Sequence, residues 1–295
     1  MKVLITGAGG MLGKDVLSVL SEDCTFEIYP LDIRALPHPN AIMLDIISDK
    51  KTVIDIIAKI DPEVIIHCAA ITNVDSCEKN KELTDKLHIE ATRTLASYKQ
   101  GKTRFIYIST DSVFDGSKGN YSEEDIPNPQ NYYALSKLKG EKAALESNKN
   151  VIVLRTNIFG FHTPPGNSLA EWAVKELSNN KKMNGFVDVD FNPLYTKQLA
   201  RIIIKIIEAV GLPSIMNVAS KDVVSKYDFL VKLAEVFGFK KELIGKVSVD
   251  ASGLNTKRPK HTSLNISKLK KLLNEAPGID DGIRELKTDY YQKML

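Results

Sequence analysis

Cysteine is scarce in this chain: Cys24, Cys68 and Cys77 are its only three among 295 residues. An odd count with no paired metal spacing excludes a disulfide framework and a cysteine-held zinc site, fits a reducing compartment, and leaves Cys68 as plain core. Long apolar runs are also missing. The longest, Arg201-Ile202-Ile203-Ile204-Lys205-Ile206-Ile207, is broken by charge and falls far short of the roughly 18 residues that span a bilayer. The first residues carry no charged leader with an apolar stretch and a small-residue cleavage site, so a cytoplasmic location with no membrane partner is expected. There is no excess of one charge: 40 Lys and Arg stand against 37 Asp and Glu. No basic run is interleaved with aromatics, which removes nucleic acid from the expected partners. Internal repeats and low-complexity tracts are absent, and no metal site is expected.

What is present is alternation of strand and helix. Lys2 to Thr6 is a short β-branched run leading at once into Gly7-Ala8-Gly9-Gly10-Met11-Leu12-Gly13, followed by a helical pattern through Leu20. Strand, glycine loop and helix in that order point to dinucleotide binding. Gly7, Gly10 and Gly13 let the backbone turn and approach a pyrophosphate, whose charge rests on free N–H groups where Met11 and Leu12 open the helix. The competing reading is a glycine-rich turn with no ligand. The next strand, Phe26 to Leu31, ends on Asp32, where a carboxylate can accept from the adenosine ribose hydroxyls and favour NAD; Arg34 could instead receive a 2′-phosphate, so NADH and NADPH both stay open. Ala41 to Leu44 brings Asp45 and Ile46 toward the adenine ring, although Asp45 reads nearly as well as the cap of a helix from about Ser48 to Lys59. Val64 to Ala70 is a continuous buried strand. Its small last residues, Ala69 and Ala70, leave room for a cofactor, and His67 reads as a satisfied core histidine. A helix from Lys81 to Lys99 and a strand from Thr103 to Ser109 follow.

Five such alternations predict an α/β fold, a doubly wound parallel sheet of the Rossmann kind, with ligands at the carboxyl ends of its strands. Past the strand Val151–Arg155 the regularity fails. Phe161 to Asn167 is a loop, a helix runs to about Asn179, and Gly185 to Asp190 resembles a short strand. Gln198 to Val210 is an amphipathic helix, another helix opens at Val223–Tyr227, and Lys257-Arg258-Pro259-Lys260 forms a basic loop. The expected division is an NAD(P)-binding domain at 1–156, rejoined by about 191–211, and a smaller α/β substrate-binding lobe at 157–190 and 212–295.

The chemistry centres on Ser109-Thr110-Asp111-Ser112, closing a strand, and on Asn131-Tyr132-Tyr133-Ala134-Leu135-Ser136-Lys137, opening a helix. Positions i and i+4 share a helix face, so Tyr133 and Lys137 can enter one cleft. An ammonium about 4 Å from a phenol, at an effective dielectric of about 20, is worth on the order of 4 kcal/mol and would lower the tyrosine pKa by some three units. Tyr133 then becomes a proton donor near neutrality, and Thr110 polarises the carbonyl under reduction. The spacing alone is weak, since Tyr98 and Lys102 match it by chance, but that pair straddles Gly101 at a helix end.

Together these residues resemble the extended short-chain dehydrogenase/reductases. Within them, Cys68-Ala69-Ala70-Ile71-Thr72-Asn73-Val74-Asp75, Ser109 to Gly116, Ser136 to Glu141, Asn192-Pro193-Leu194-Tyr195-Thr196 and Arg258-Pro259 are similar to the dTDP-4-dehydrorhamnose reductase family. The resemblance implies NAD(P)H-dependent reduction of the 4-keto group of a nucleotide-linked 6-deoxyhexose. Thr110, Tyr133 and Lys137 would form the triad, with Lys137 also holding the nicotinamide ribose. Val74, Asp111 and Asn157 would lie near the sugar and Arg258 near the diphosphate, and the resemblance leaves room for a homodimer. Three departures stand out: Ser112 where that family has tyrosine, Arg155-Thr156-Asn157-Ile158-Phe159-Gly160 without the usual tryptophan, and His88 in place of asparagine. Ser112 argues against 4,6-dehydration, which needs Glu there. An NAD-dependent sugar-nucleotide 4-epimerase and a non-catalytic NAD(P)-binding regulatory subunit, such as that of methionine adenosyltransferase, are the alternatives.

Overall fold

Seven parallel strands form the central sheet of the computed structural model, which describes residues 1–251, 253 and 256–292. Their spatial order is Ile215–Asn217, Val151–Thr156, Arg104–Thr110, Val64–His67, Lys2–Thr6, Glu27–Asp32, Ile42–Met43. The chain winds from the central Lys2–Thr6 strand to one edge, returns to Val64–His67 beside its starting point, and then winds to the other edge. That reversal opens a crevice at the carboxyl ends of the two central strands. Thr6 pairs with Leu31 on one side and His67 on the other, so the glycine loop, Asp32 and Cys68 emerge at one level.

Both faces of the sheet are covered, which is why its strands are apolar throughout rather than alternating. On one face Val3, Ile5, Ile66 and Ile106 pack against Leu12 and Val16 of the Met11–Leu20 helix and Ile203 and Ile206 of the Thr196–Glu208 helix. On the other, Leu4, Ile65, Phe105 and Val153 pack against Val53, Ile57 and Leu95. A separate core of Phe159, Val174, Phe191, Phe229, Leu233, Phe237 and Ile283 holds the smaller lobe together. The cores are tied where Tyr195 donates to Asp289 and Thr196 to Asp15.

Several expected elements shift. The strand expected to run to Ala70 stops at His67. Gly7, with φ +65°, crosses so closely that a Cβ there would lie 2.7 Å from the Ala69 backbone, and the chain turns away from the sheet. A short helix at Val74–Lys79, capped by the Asn73 side chain on the Ser76 N–H, was not foreseen. The helix expected over 81–99 ends at Ala96 and carries a π-helical turn at Lys86–Ala91. Ile215–Asn217, within the stretch expected of the smaller lobe, pairs with Val153–Arg155 as an edge strand of the main sheet. Among the described residues no helix is long and apolar enough to cross a membrane.

Candidate active site

The crevice is lined first by the glycine loop. A Cβ on Gly13 would sit 2.1 Å from the Gly7 carbonyl oxygen, so loop and helix meet only because position 13 is bare. Gly10 caps the Met11–Leu20 helix without a side-chain acceptor, and no acidic residue occupies its first turn. The first-turn N–H groups, at Met11, Leu12 and Gly13, are thus free for an anion. Asp32, buried at its strand end, accepts from the Gly9 N–H at 2.9 Å and pairs with Arg34 Nε at 3.1 Å. The same guanidinium reaches the Gly9 and Thr163 carbonyls. Asp32 and Arg34 therefore form one unit rather than two alternatives. Ala69 and Ala70 are half-buried opposite the loop, and Ile46 is buried beyond the sheet edge. Asp45 is not the helix cap: its carboxylate accepts from the Ile47 N–H, while Asp49 caps the Lys50–Ile60 helix. Together these features fit a nicotinamide dinucleotide: a cradle that any Cβ would fill, an uncapped helix start and a carboxylate at the second strand end.

Further along the carboxyl edge, Thr110 ends its strand beside Thr156. Tyr133 and Lys137 lie on the Tyr132–Ser147 helix, started by Asn131, which accepts the Ala134 N–H at 2.9 Å. Strand and helix are bolted together by a buried pair, Arg155 Nη2 to Glu141 Oε2 at 2.7 Å, to which Ser109 adds its hydroxyl. Burial pushes the Tyr133 phenol up to about 12. Lys137 is 3% exposed. Its ammonium donates to the Ile108 carbonyl at 2.6 Å and stands 4.1 Å from the Tyr107 ring centre, and burial takes it down to about 7, with Glu141 opposing. This corrects the expectation from spacing: desolvation of both groups outweighs their attraction, and the lysine is engaged by a backbone carbonyl instead of lowering the phenol. A phenol held protonated is suited to giving a proton, not to taking one.

His67 is satisfied as expected, between Thr6 at 2.6 Å and Thr92 at 3.1 Å, and burial holds it neutral with a pKa of about 3. His88, in the π-helical turn, accepts the Ile71 N–H on Nε2 at 3.0 Å. Its Nδ1 faces the Ser136 hydroxyl at 2.8 Å and its ring stands edge-on to Tyr133. With Nε2 accepting, Nδ1 carries the proton and the imidazole is neutral, as burial also dictates. It holds the loop after Ala70 against the tyrosine helix.

On the sugar side expected for Asp111 and Asn157, the two meet: Asn157 Nδ2 donates to Asp111 Oδ2 at 2.9 Å. Thr262 donates to the same oxygen at 2.6 Å, and Thr110 and Ser112 reach Oδ1 at 3.2 Å. Val74 begins the short helix over this region and stays half-buried. Arg258 approaches Asp75 of that helix at 3.5 Å, while its Nη1 is buried with no partner among the described residues. The loop carrying it is admitted by Gly116, φ +74°, where a Cβ would lie 2.6 Å from the Lys260 nitrogen. A cavity of about 510 Å³ lies between the two, lined by Asn128, Gln130, Lys257, Arg258 and Lys260 among others. Thr262 was missed in the sequence because no spacing links it to Asp111.

A sequence model of the family described as RmlD substrate binding domain matches residues 1–291. The methionine adenosyltransferase 2 subunit beta of Xenopus laevis is 31% identical, covering 96% of this chain and 86% of that protein. A probable low-salt glycan biosynthesis reductase of Haloferax volcanii is 28% identical over 98% of both. The crystal structure of dTDP-4-dehydrorhamnose reductase from Bacillus anthracis, in complex with NADP, superposes with a TM-score of 0.86 at 28% identity, covering 98% of this chain and 99% of that one.

Proposed function

This chain belongs to the RmlD substrate-binding domain family, and on that premise we propose that it reduces the 4-keto group of a nucleotide-linked 6-deoxyhexose, using NADH or NADPH. The observation that carries the reading is the placement of Thr110 at a strand end against the helix that carries Tyr133 and Lys137, beside a dinucleotide crevice. When bound, the reduced nicotinamide supplies the hydride. Tyr133 holds the proton at its phenol oxygen and releases it to the carbonyl oxygen as charge develops there, while Thr110, its one hydroxyl proton turned from Asp111 Oδ1, donates a hydrogen bond to that oxygen. Lys137, released from Ile108, would offset the phenolate left behind and hold a ribose hydroxyl. Asp111 fixes Thr110, and Asn157 and Val74 border the sugar. Arg258 offers its free Nη1 to the diphosphate. The Asp32–Arg34 unit serves the adenosine ribose and Ile46 the adenine, as does Asp45. A cytoplasmic location and a cofactor domain of 1–156 with 191–217 belong to the same reading.

The test is Tyr133→Phe, followed by reduced-cofactor absorbance with a panel of 4-keto sugar nucleotides. The variant is expected to bind dinucleotide as wild type does and to lose at least about 100-fold in turnover, the usual contribution of a general acid. Near wild-type turnover in Tyr133→Phe would sink the assignment. The methionine adenosyltransferase relatives favour a second reading, a dinucleotide-binding regulatory subunit. It is supported instead if no keto sugar is reduced and the chain binds and alters a methionine adenosyltransferase.

A further inference from the structure

Asp111 is 1% exposed, yet every group that donates to its carboxylate is uncharged. On Oδ2 stand Thr262 Oγ1 at 2.6 Å and Asn157 Nδ2 at 2.9 Å; on Oδ1 stand the hydroxyls of Thr110 and Ser112, each at 3.2 Å. The two sides are unequal. The short pair on Oδ2 comes from outside the Thr110–Ser112 turn, and Thr262 makes the shortest bond of the four. Its place in the chain does not depend on that hydroxyl: the Thr262 N–H donates to the Asp190 carbonyl at 3.0 Å, and the neighbouring His261 N–H to the Gly116 carbonyl at 3.0 Å. The same segment reaches the other half of the site, where the Lys257 carbonyl accepts from Asn131 Nδ2 at 3.2 Å, and Asn131 caps the helix that carries Tyr133 and Lys137. Residues 257–262 thus touch both the strand end that supplies Thr110 and the start of the tyrosine helix.

A hydroxyl has one proton. In the proposed reduction Thr110 needs its own for the substrate carbonyl, and here it points that proton at Asp111 Oδ1. Its oxygen is held separately by the Ser112 N–H at 3.2 Å, so the proton can turn while the oxygen stays. How readily it turns depends on how strongly Oδ1 draws it. Donors on Oδ2 fix the orientation of the carboxylate and localise its charge on that oxygen. With Thr262 gone, Oδ2 keeps Asn157 alone, and the buried carboxylate recovers the lost bond from the hydroxyls on Oδ1, Thr110 among them. We propose that Thr262 is a positioning residue for the reduction: by satisfying Asp111 Oδ2 it frees the Thr110 proton for the carbonyl oxygen. This rests on the reductase reading above. The alternative is that Thr262 only ties the smaller lobe to the sheet, in which case its loss weakens the fold without acting through Thr110.

Steady-state reduction of dTDP- and UDP-linked 4-keto-6-deoxyhexoses by the full chain, together with dinucleotide affinity, separates the two. In Thr262→Val, kcat on the sugar nucleotide that wild type reduces is expected to fall about tenfold or more, the loss of a hydrogen bond to a charged group, while KM and the dinucleotide Kd change less than about twofold. Thr262→Ser, which keeps the hydroxyl, should recover most of that loss. Measured on the residual turnover of Thr110→Val, the same Thr262→Val change should cost less than about twofold, because the group it acts through is already gone. Thr262→Ala replaces Thr262→Val where the latter does not yield folded protein, with the same expectation. An unchanged kcat, a loss confined to KM, a loss that Thr262→Ser does not recover, or an equal loss with and without the Thr110 hydroxyl overturns the positioning role and leaves the proposed reduction standing. Failure of wild type to reduce any of these sugar nucleotides overturns both.

Discussion

Lys137 gives the most direct check on the electrostatics of the site. The folded lysine is depressed to about 7 from an ordinary value of 10.5 because it is buried. Between those values the unfolded chain holds a proton that the folded chain has released. Unfolding therefore takes up a proton, and the stability contributed at this residue rises with pH, from the folded value toward the unfolded one. At 1.36 kcal/mol per pH unit, with the folded lysine half protonated at pH 7, the gain between pH 7 and 9 is about 2 kcal/mol. Lys137→Met lacks this contribution, and other groups, Lys226 included, cancel when wild type and variant are compared. Urea denaturation at pH 7, 8 and 9 should show the wild-type minus variant difference climbing by about 2 kcal/mol. A difference that stays flat with pH would refute the depressed lysine.

Two further outcomes follow from the geometry. Glu141→Gln leaves the buried Arg155 guanidinium without its counter-charge, so it should cost about 3–5 kcal/mol in denaturant unfolding; a cost under about 1 kcal/mol would mean the pair is not the bolt between strand and helix. Gly13→Ala drives a methyl to within 2.1 Å of the Gly7 carbonyl oxygen, and neither backbone can yield cheaply. Dinucleotide affinity, read by quenching of protein fluorescence, should drop about tenfold or more, and an unchanged Kd would detach that loop from cofactor binding.

The parts of the site legible in the sequence are those fixed by local chain order. Gly7 to Gly13, Asp32 and Thr110 each follow a recognisable apolar strand, and a strand's carboxyl end has a known place in a doubly wound sheet. Tyr133 and Lys137 were legible as a helical pair. Their electrostatics were not, because the competitor for the ammonium is a backbone carbonyl, Ile108, which no side-chain pattern reveals. Thr262 reaches Asp111 across 151 positions, carried there by bridges such as Asp190 to His261 and Tyr121 to Leu264. Such approaches depend on how the smaller lobe folds back, which periodicity does not encode. The Val74–Lys79 helix could have been found from its capping residue, Asn73, followed by Asp75 in the first turn.

The π-helical turn at Lys86–Ala91 has a consequence for how this chain tolerates change in length. A π turn accommodates one residue more than an α-helix over the same rise. Deleting one residue within it would let the helix close into regular α form at little cost to the backbone, with the residues before and after the turn keeping their faces. What would change is the aim of the residues inside the turn, His88 and its bond to the Ile71 N–H first among them, while Thr92, beyond the turn, keeps its place against His67. The segment is thus open to losing one residue in length, provided another side chain supports the loop after Ala70.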